Sequence, residues 1–441
     1  MKYLHLWCAL LALSAVTVLG CQAKPVPGPD GLAERITAYK SYTRARSSWP
    51  TKTWPVAKPA SVGFDEKALD KAMKYAFTMT GDEKNRKGVR TDGVVIIRHG
   101  KLVYERYARG YKKTTPHLSW SVSKSFTNGL VGIAVHKGLM KIDEPAAKYV
   151  KTLDRGQHKK ILIRHLLNQT DGIDWNEGYE ASPVDSKVIM MLYTAGRGNM
   201  GLFTAKQPLK YVPGTRWYYS SGTTNLLMLT LRNALKAKKR TLEDFAWGEL
   251  FDKIGMSSVT WERDGAGTFV GSSYLYATPR DLAKYGYLFL NNGVWEGKRL
   301  LGEDWVKFST TASKANVKGH YGAQWWLNLG RPERKQKRRF PSVPRELFYA
   351  GGHWGQGIFV FPSLDLVIVR TADDRDKTFY RGRFLRLILD SLQAEKKSKT
   401  APKKVTPKAE TQQVKDAKDT PKVEKATQKT APVKDKKGAK Q

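Results

Sequence analysis

The chain has 441 residues, 41% of them hydrophobic and 11% aromatic, so it can bury a sizeable core in one large domain or two ordinary ones. Its formal net charge is +37. Residues 394–441 hold fifteen lysines against six acidic residues, so the greater part of the excess lies outside them and favours anionic partners. Both cysteines, Cys8 and Cys21, fall near the N-terminus, which excludes a disulfide framework or a cysteine-based metal site from the rest of the chain.

Met1-Lys2 open a short basic region, and Tyr3 to Leu19 is almost wholly apolar, the length and flanks of a signal peptide rather than a spanning helix. Val18-Leu19-Gly20-Cys21 resembles a bacterial lipobox, which makes Cys21 the expected site of lipidation; an ordinary signal cut nearby is the alternative. Gln22 in place of an acidic residue then points to the outer membrane as the destination, with the protein exported to the periplasm. Residues 22–60 are rich in Pro, Ser, Lys and Arg and read as a tether. The globular pattern runs over 61–393. Residues 394–441 have no aromatic residue and read as a disordered tail, a candidate electrostatic anchor on anionic envelope polymers.

Within the globular part, Gly93 to Arg98 and Lys101 to Tyr107 flank His99-Gly100, the pattern of a hairpin. Ser121 to Met140 carries Phe126, Leu130, Ile133 and Ala134 at helical spacing and reads as a buried helix. Helical and irregular segments follow to about Asn328. Strands return at 347–351, 357–361 and 366–371, with Pro362-Ser363-Leu364-Asp365 as a turn, and 379–392 reads as a closing helix. A hairpin at the start and a meander at the end predict an α/β fold. Its antiparallel sheet is built from both ends of the domain, with helices on both faces and a mostly helical subdomain between.

Ser121-Val122-Ser123-Lys124 is the sharpest chemical feature. A serine hydroxyl needs a nearby base, and residues three apart share a helix face, so Lys124 is placed over Ser121. A serine in the first helical turn also lies where unpaired amides stabilise an oxyanion. Ser-x-x-Lys alone is equally a polar helix start. Its context is what separates the two readings. Asp92–Tyr107, Leu139–Pro145, Ile161–Ile173, Ala277–Leu290, Gly293–Trp305 and Tyr321–Trp326 resemble, in order, segments of the serine β-lactamase and penicillin-binding protein superfamily. The likeness is nearest to its class C-like branch of esterases, D-amino-acid peptidases and nylon-oligomer hydrolases, and it implies the β-lactamase/transpeptidase-like fold.

That resemblance implies a second motif, Tyr-x-Asn, after a Pro-Gly-Thr turn. Pro213-Gly214-Thr215 puts Tyr219 at the tyrosine position and Ser221 at the asparagine position, with Tyr218 as a competitor. A phenol beside Ser121 and Lys124 can move the proton. Serine at 221 has fewer donors than asparagine, which argues against efficient β-lactam turnover. The third motif, Lys-Thr-Gly or His-x-Gly, has two registers: His353-Trp354-Gly355, or Ala350-Gly351-Gly352 with His353 following. In the second, the backbone amides of Ser121 and His353 form the oxyanion hole. Ser221, Gly352 and Trp354 are the expected substrate contacts. His165, Asp171 and Asp174 read as structural, and Trp325 and Trp326 as either core or pocket lining. The expectation is a serine hydrolase acting on a small ester or amide, with no cofactor, no metal and no nucleic-acid partner. A D,D-carboxypeptidase or β-lactamase is the alternative within enzymes, and a non-catalytic envelope protein binding anionic polymers is the alternative outside them.

Overall fold

The chain is described as a computed structural model over residues 36–37, 45–179, 185–376 and 378–393. The expected signal segment, Cys21 and the lysine-rich tail lie outside the described residues.

Strand β1 (Thr91–Arg98) is buried along its whole length because both sheet faces are covered. Val95 and Ile97 point into one core, and Val94 and Ile96 into the other, as the period of two requires. It turns into β2 (Lys101–Tyr107) through His99 and Gly100, whose φ angles of 52° and 74° are both left-handed. Two such residues between Arg98 and Lys101 match the twist of paired strands, which is why a short hairpin loop with glycine at its second position closes here.

The remaining strands come from the far end of the chain: β3 (Trp326–Leu327), β4 (Phe348–Gly351), β5 (Gly357–Phe361) and β6 (Leu366–Ala372). The sheet order is β3-β4-β5-β6-β1-β2, antiparallel throughout, with Ile96 opposite Ile368 and Ile97 opposite Val367. The first hairpin therefore pairs with the last strand, and the sheet is built from both ends of the domain as expected.

Helices α1 (Glu66–Phe77) and α5 (Arg381–Asp390) cover one face. Leu69, Met73, Phe384 and Ile388 pack on Val94, Ile96, Phe359 and Ile368. Asp65 caps α1 by accepting the Ala68 N–H at 2.8 Å. On the other face α4 (Pro279–Leu290) lies against the sheet, and α2 (Ser123–His136) and α3 (Ser221–Lys236) pack on each other in the same core. Gly286 lets α4 lie close on the sheet: a Cβ there would come within 2.7 Å of Ile358 and 2.8 Å of Val367. Short helices and a small sheet of Thr260–Trp261, Leu275–Ala277 and His117–Leu118 form the intervening part.

The packed body begins earlier than the boundary expected at residue 61. Arg46 donates twice to Asp365, at 2.7 Å each, Trp49 lies against Tyr287 and Trp295, and Trp54 is buried. Tryptophans that remove large apolar areas from water bind this segment to the domain, so its described part is not a free tether.

Candidate active site

Ser121 lies in a 3-10 turn, Trp120–Val122, that runs directly into α2. Trp120 before it holds a left-handed φ of 49°, a costly conformation for a bulky residue that surrounding contacts must enforce. Its ring is held among Tyr274, His353 and Trp354 at centroid distances of 5.9, 5.6 and 5.2 Å. Helix α2 is buried from Ser123 to Ala134, polar first turns included, so the one lysine in its first turn is buried with it.

Lys124 Nζ donates to Ser121 Oγ at 3.0 Å, to Ser221 Oγ at 2.9 Å and to the Ser272 carbonyl at 3.2 Å. Three acceptors match the three N–H bonds of an ammonium. Burial disfavours that charge and lowers the pKa to about 8, while the Glu177 carboxylate works in the opposite sense. Loss of one proton would free a lone pair able to accept from Ser121.

The Tyr219 side chain lies beside Ser121, and burial pushes its pKa well up, so it is a phenol at neutral pH. Its ring lies 4.8 Å from Lys124 Nζ and stacks on Trp326 at 5.2 Å. The turn before it is fastened by Gly214 N–H to the Thr170 carbonyl at 2.7 Å and by the Thr215 hydroxyl to the Val212 carbonyl at 2.7 Å. Tyr218 is exposed on the outside of this segment, so the residue counted from the turn is the one at Ser121.

Ser221 departs from its expected role. It is fully buried at the first position of α3, accepts from Lys124 and donates its hydroxyl to Glu177. Its backbone N–H also goes to Glu177, at 2.8 Å. With both donors committed, Ser221 has none to offer a substrate, so the expectation of a substrate contact there is corrected to an internal link.

Strand β4 runs through Ala350 and Gly351, and His353–Gly355 is a tight turn with Trp354 at a left-handed φ of 53°. The strand thus carries Ala350 and Gly351, and Gly352 links it to the turn. Gly352 passes so close to the loop before Ser121 that a Cβ would meet the Ser119 carbonyl at 2.4 Å. Gln356 holds the turn: its amide donates to the His353 carbonyl at 3.2 Å, and its own carbonyl accepts from Gly352 N–H at 3.0 Å. Trp354 borders the site through Trp120, with the Arg375 guanidinium 3.2 Å over its ring.

Among residues read as structural, His165 accepts the Leu162 N–H at 3.2 Å beneath Gly214, and burial lowers its pKa to about 4. Asp171 accepts from Ile173 N–H and the Thr223 hydroxyl, with its pKa raised by burial to about 6. Asp174 pairs with Lys187 at 2.7 Å. Trp325 belongs to the core and Trp326 lies on Tyr219. Among the described residues no group of three or more His, Cys, Asp or Glu could hold a metal ion.

Two residues at the site escaped sequence reasoning. Glu177 takes the Trp175 indole N–H at 2.6 Å besides both Ser221 donors, and Tyr179 stacks on His353 at 5.1 Å with its hydroxyl 3.4 Å from Ser221 Oγ. Both stand a few residues beyond the Asp171-Gly172-Ile173 turn, and the carboxylate between Trp175 and Tyr179 was the available signal.

The pattern of the beta-lactamase family matches residues 66–392, which spans the whole sheet and every residue of this constellation. The chain belongs to the beta-lactamase family. Among its relatives in sequence, the 6-aminohexanoate-dimer hydrolase of Paenarthrobacter ureafaciens is 24% identical over 319 residues, 68% of this chain and 77% of the relative. A family VIII carboxylesterase has the same fold at a TM-score of 0.56 and 14% identity, over 74% of this chain and 96% of that one. A class C beta-lactamase follows at 0.51 and 16%, over 75% and 97%. This family member thus has the β-lactamase/transpeptidase-like α/β fold, and hydrolases are its neighbours.

Proposed function

We propose that the chain is a serine hydrolase that cleaves an ester or small amide through an acyl-enzyme on Ser121. The observation that carries this reading is the buried Lys124 nitrogen, bonded to Ser121 Oγ at 3.0 Å with its pKa near 8. An appreciable fraction of such a lysine is the free amine close to neutral pH, and that amine accepts the serine proton as Oγ attacks the carbonyl carbon. The backbone N–H groups of Ser121 and His353 hold the oxyanion. Tyr219, a phenol beside Ser121, delivers a proton to the departing oxygen or nitrogen and is restored from Lys124. Water then attacks the acyl carbon, its proton passes to the Lys124 amine, with the Tyr219 hydroxyl as relay, and the same proton returns from Lys124 to Ser121 Oγ as the serine leaves.

Esters and small amides are favoured over β-lactams because Ser221 has no donor left for a lactam side-chain amide. The likeness to a carboxylesterase and to a hydrolase of 6-aminohexanoate dimers supports the same choice. The exported location, the lipid on Cys21 and the tail as an anchor on anionic envelope polymers belong to the proposal as well, and rest on the sequence of those segments.

The test is intact-protein mass after treatment with a fluorophosphonate. One adduct on the wild type that is absent from Ser121→Ala is expected. A correctly folded wild type that takes no adduct overturns the reading.

A further inference from the structure

Glu177 sits 44 residues before α3 and yet occupies its N-terminus. Its carboxylate accepts three hydrogen bonds: Ser221 N–H at 2.8 Å, the Ser221 hydroxyl, and the Trp175 indole N–H at 2.6 Å. A carboxylate there is favoured by the unpaired amides and the positive end of a sixteen-residue helix. The Ser221 hydroxyl has a single proton. Because that proton is given to Glu177, the oxygen's lone pairs are turned to Lys124 Nζ, 2.9 Å away. The result is one continuous chain from the nucleophile inwards: Ser121, Lys124, Ser221, Glu177.

We infer that Glu177 is the positioning residue of this site, holding Lys124 on Ser121 through Ser221 and supplying the negative charge against which the lysine ammonium forms. The inference rests on the acyl-transfer reading above. When Ser121 gives its proton to Lys124, a cation appears inside a buried pocket, where an isolated charge is costly. The half-buried Glu177 carboxylate, one hydroxyl away, offsets that cost without touching substrate. It also prevents Ser221 from donating to Lys124, which would oppose the free amine's lone pair turning to Ser121.

The other groups around this chain do not duplicate that charge. Tyr219, Tyr179 and Tyr321 are phenols with pKa values raised by burial, and Tyr218 is raised in the same way further out. Asp171, with its pKa raised to about 6, is also ionised where Lys124 titrates, but its carboxylate is held by the Thr223 hydroxyl and the Ile173 N–H and is not bonded to Lys124 or Ser221. His353 lies on the far ring face of Tyr179. Glu177 is the charge that acts on Lys124 most directly.

The test is the rate of fluorophosphonate labelling of the full chain as a function of pH, which needs no knowledge of the substrate. In the wild type the rate rises with pH with a midpoint near 8, set by Lys124. In Glu177→Gln the side chain keeps its size and loses its charge. The midpoint then moves down by roughly one pH unit, as for removal of a nearby opposite charge. The plateau rate falls about tenfold or more, because the serine is less well served by a weaker, misoriented base. Glu177→Asp, which keeps the charge, restores the midpoint towards the wild-type value. A Glu177→Gln protein with an unmoved midpoint overturns the inference, whatever its plateau rate. If Glu177→Gln fails to fold, Glu177→Asp and Ser221→Ala carry the test: a midpoint unmoved in Ser221→Ala overturns the link through Ser221. A wild type that takes no label at any pH instead overturns the acyl-transfer reading itself.

Discussion

Lys124 Nζ stands 3.0 Å from Ser121 Oγ, with Ser121 in the 3-10 turn that leads into the buried helix and Lys124 in that helix's first turn. The pair is set by local geometry, since positions three apart on a helix share a face. Its chemistry is set by the packing around it, because burial is what brings the lysine's loss of its proton down from the ordinary 10.5 to about pH 8.

Activity should therefore rise with pH through a midpoint near 8, as Lys124 passes from ammonium to amine. Lys124→Arg should be as inactive as Lys124→Ala, both down by about 100- to 10,000-fold, since a guanidinium keeps its charge throughout this range. Kinetics with a p-nitrophenyl ester check both statements. An arginine variant with near wild-type kcat/KM would remove the proton transfer to residue 124.

Stability carries the same signature. The folded pKa lies near 8, below the ordinary 10.5, so between those values the unfolded chain binds more protons and stability rises with pH from this group. Below 8 both states are charged and the full cost of burying the ammonium is present. Lys124→Met should remove this contribution and flatten the curve between pH 8 and 10.5, as measured by denaturant unfolding.

Tyr219→Phe keeps the ring on Trp326 and loses the hydroxyl at Ser121. Turnover of an alkyl ester should fall by about 100-fold or more, while a p-nitrophenyl ester suffers less because its leaving group departs without a proton. An equal loss on both substrates would place the role of Tyr219 elsewhere than at the leaving group.

Gly352→Ala drives a methyl group onto the Ser119 carbonyl, 2.4 Å from the ideal Cβ position. Backbone lies on both sides of that contact, so either the His353 turn or the Ser121 turn must shift, at a cost of about 1–3 kcal/mol. Loss of fluorophosphonate labelling with the fold retained by circular dichroism is the expected result.

The His353–Gly355 turn is braced from beneath by Arg370, fully buried, which donates to Asp374 at 2.6 and 3.0 Å and to the Gly355 carbonyl at 3.3 Å. Asp374 in turn gives its N–H to the Trp354 carbonyl at 3.0 Å. Asp374→Ala leaves an uncompensated guanidinium in the interior and should cost about 3–5 kcal/mol in urea unfolding. Labelling of Ser121 should weaken along with it, because the turn loses its support.

Much of this molecule is decided by short-range pattern. Alternation along Val94–Ile97 marks a strand covered on both faces, two residues suited to left-handed backbone at His99-Gly100 mark the hairpin, and a spacing of three brings Lys124 to Ser121. Apolar runs late in the chain place the strands at 348–351, 357–361 and 366–372 within a residue of where they are expected. What tertiary structure alone decides is which groups meet across long separations. Glu177 reaches the N–H of Ser221, Arg46 closes on Asp365 from 319 positions away, and Gly352 passes the Ser119 carbonyl. Periodicity reports which face of an element is apolar and carries nothing about which distant polar atom satisfies a buried one. That choice is made only when the sheet closes from both ends and every buried donor must find an acceptor. The serine, its lysine and its tyrosine could thus be picked out by spacing and resemblance. The carboxylate behind them follows only from the burial of Ser221, whose donors had to be satisfied.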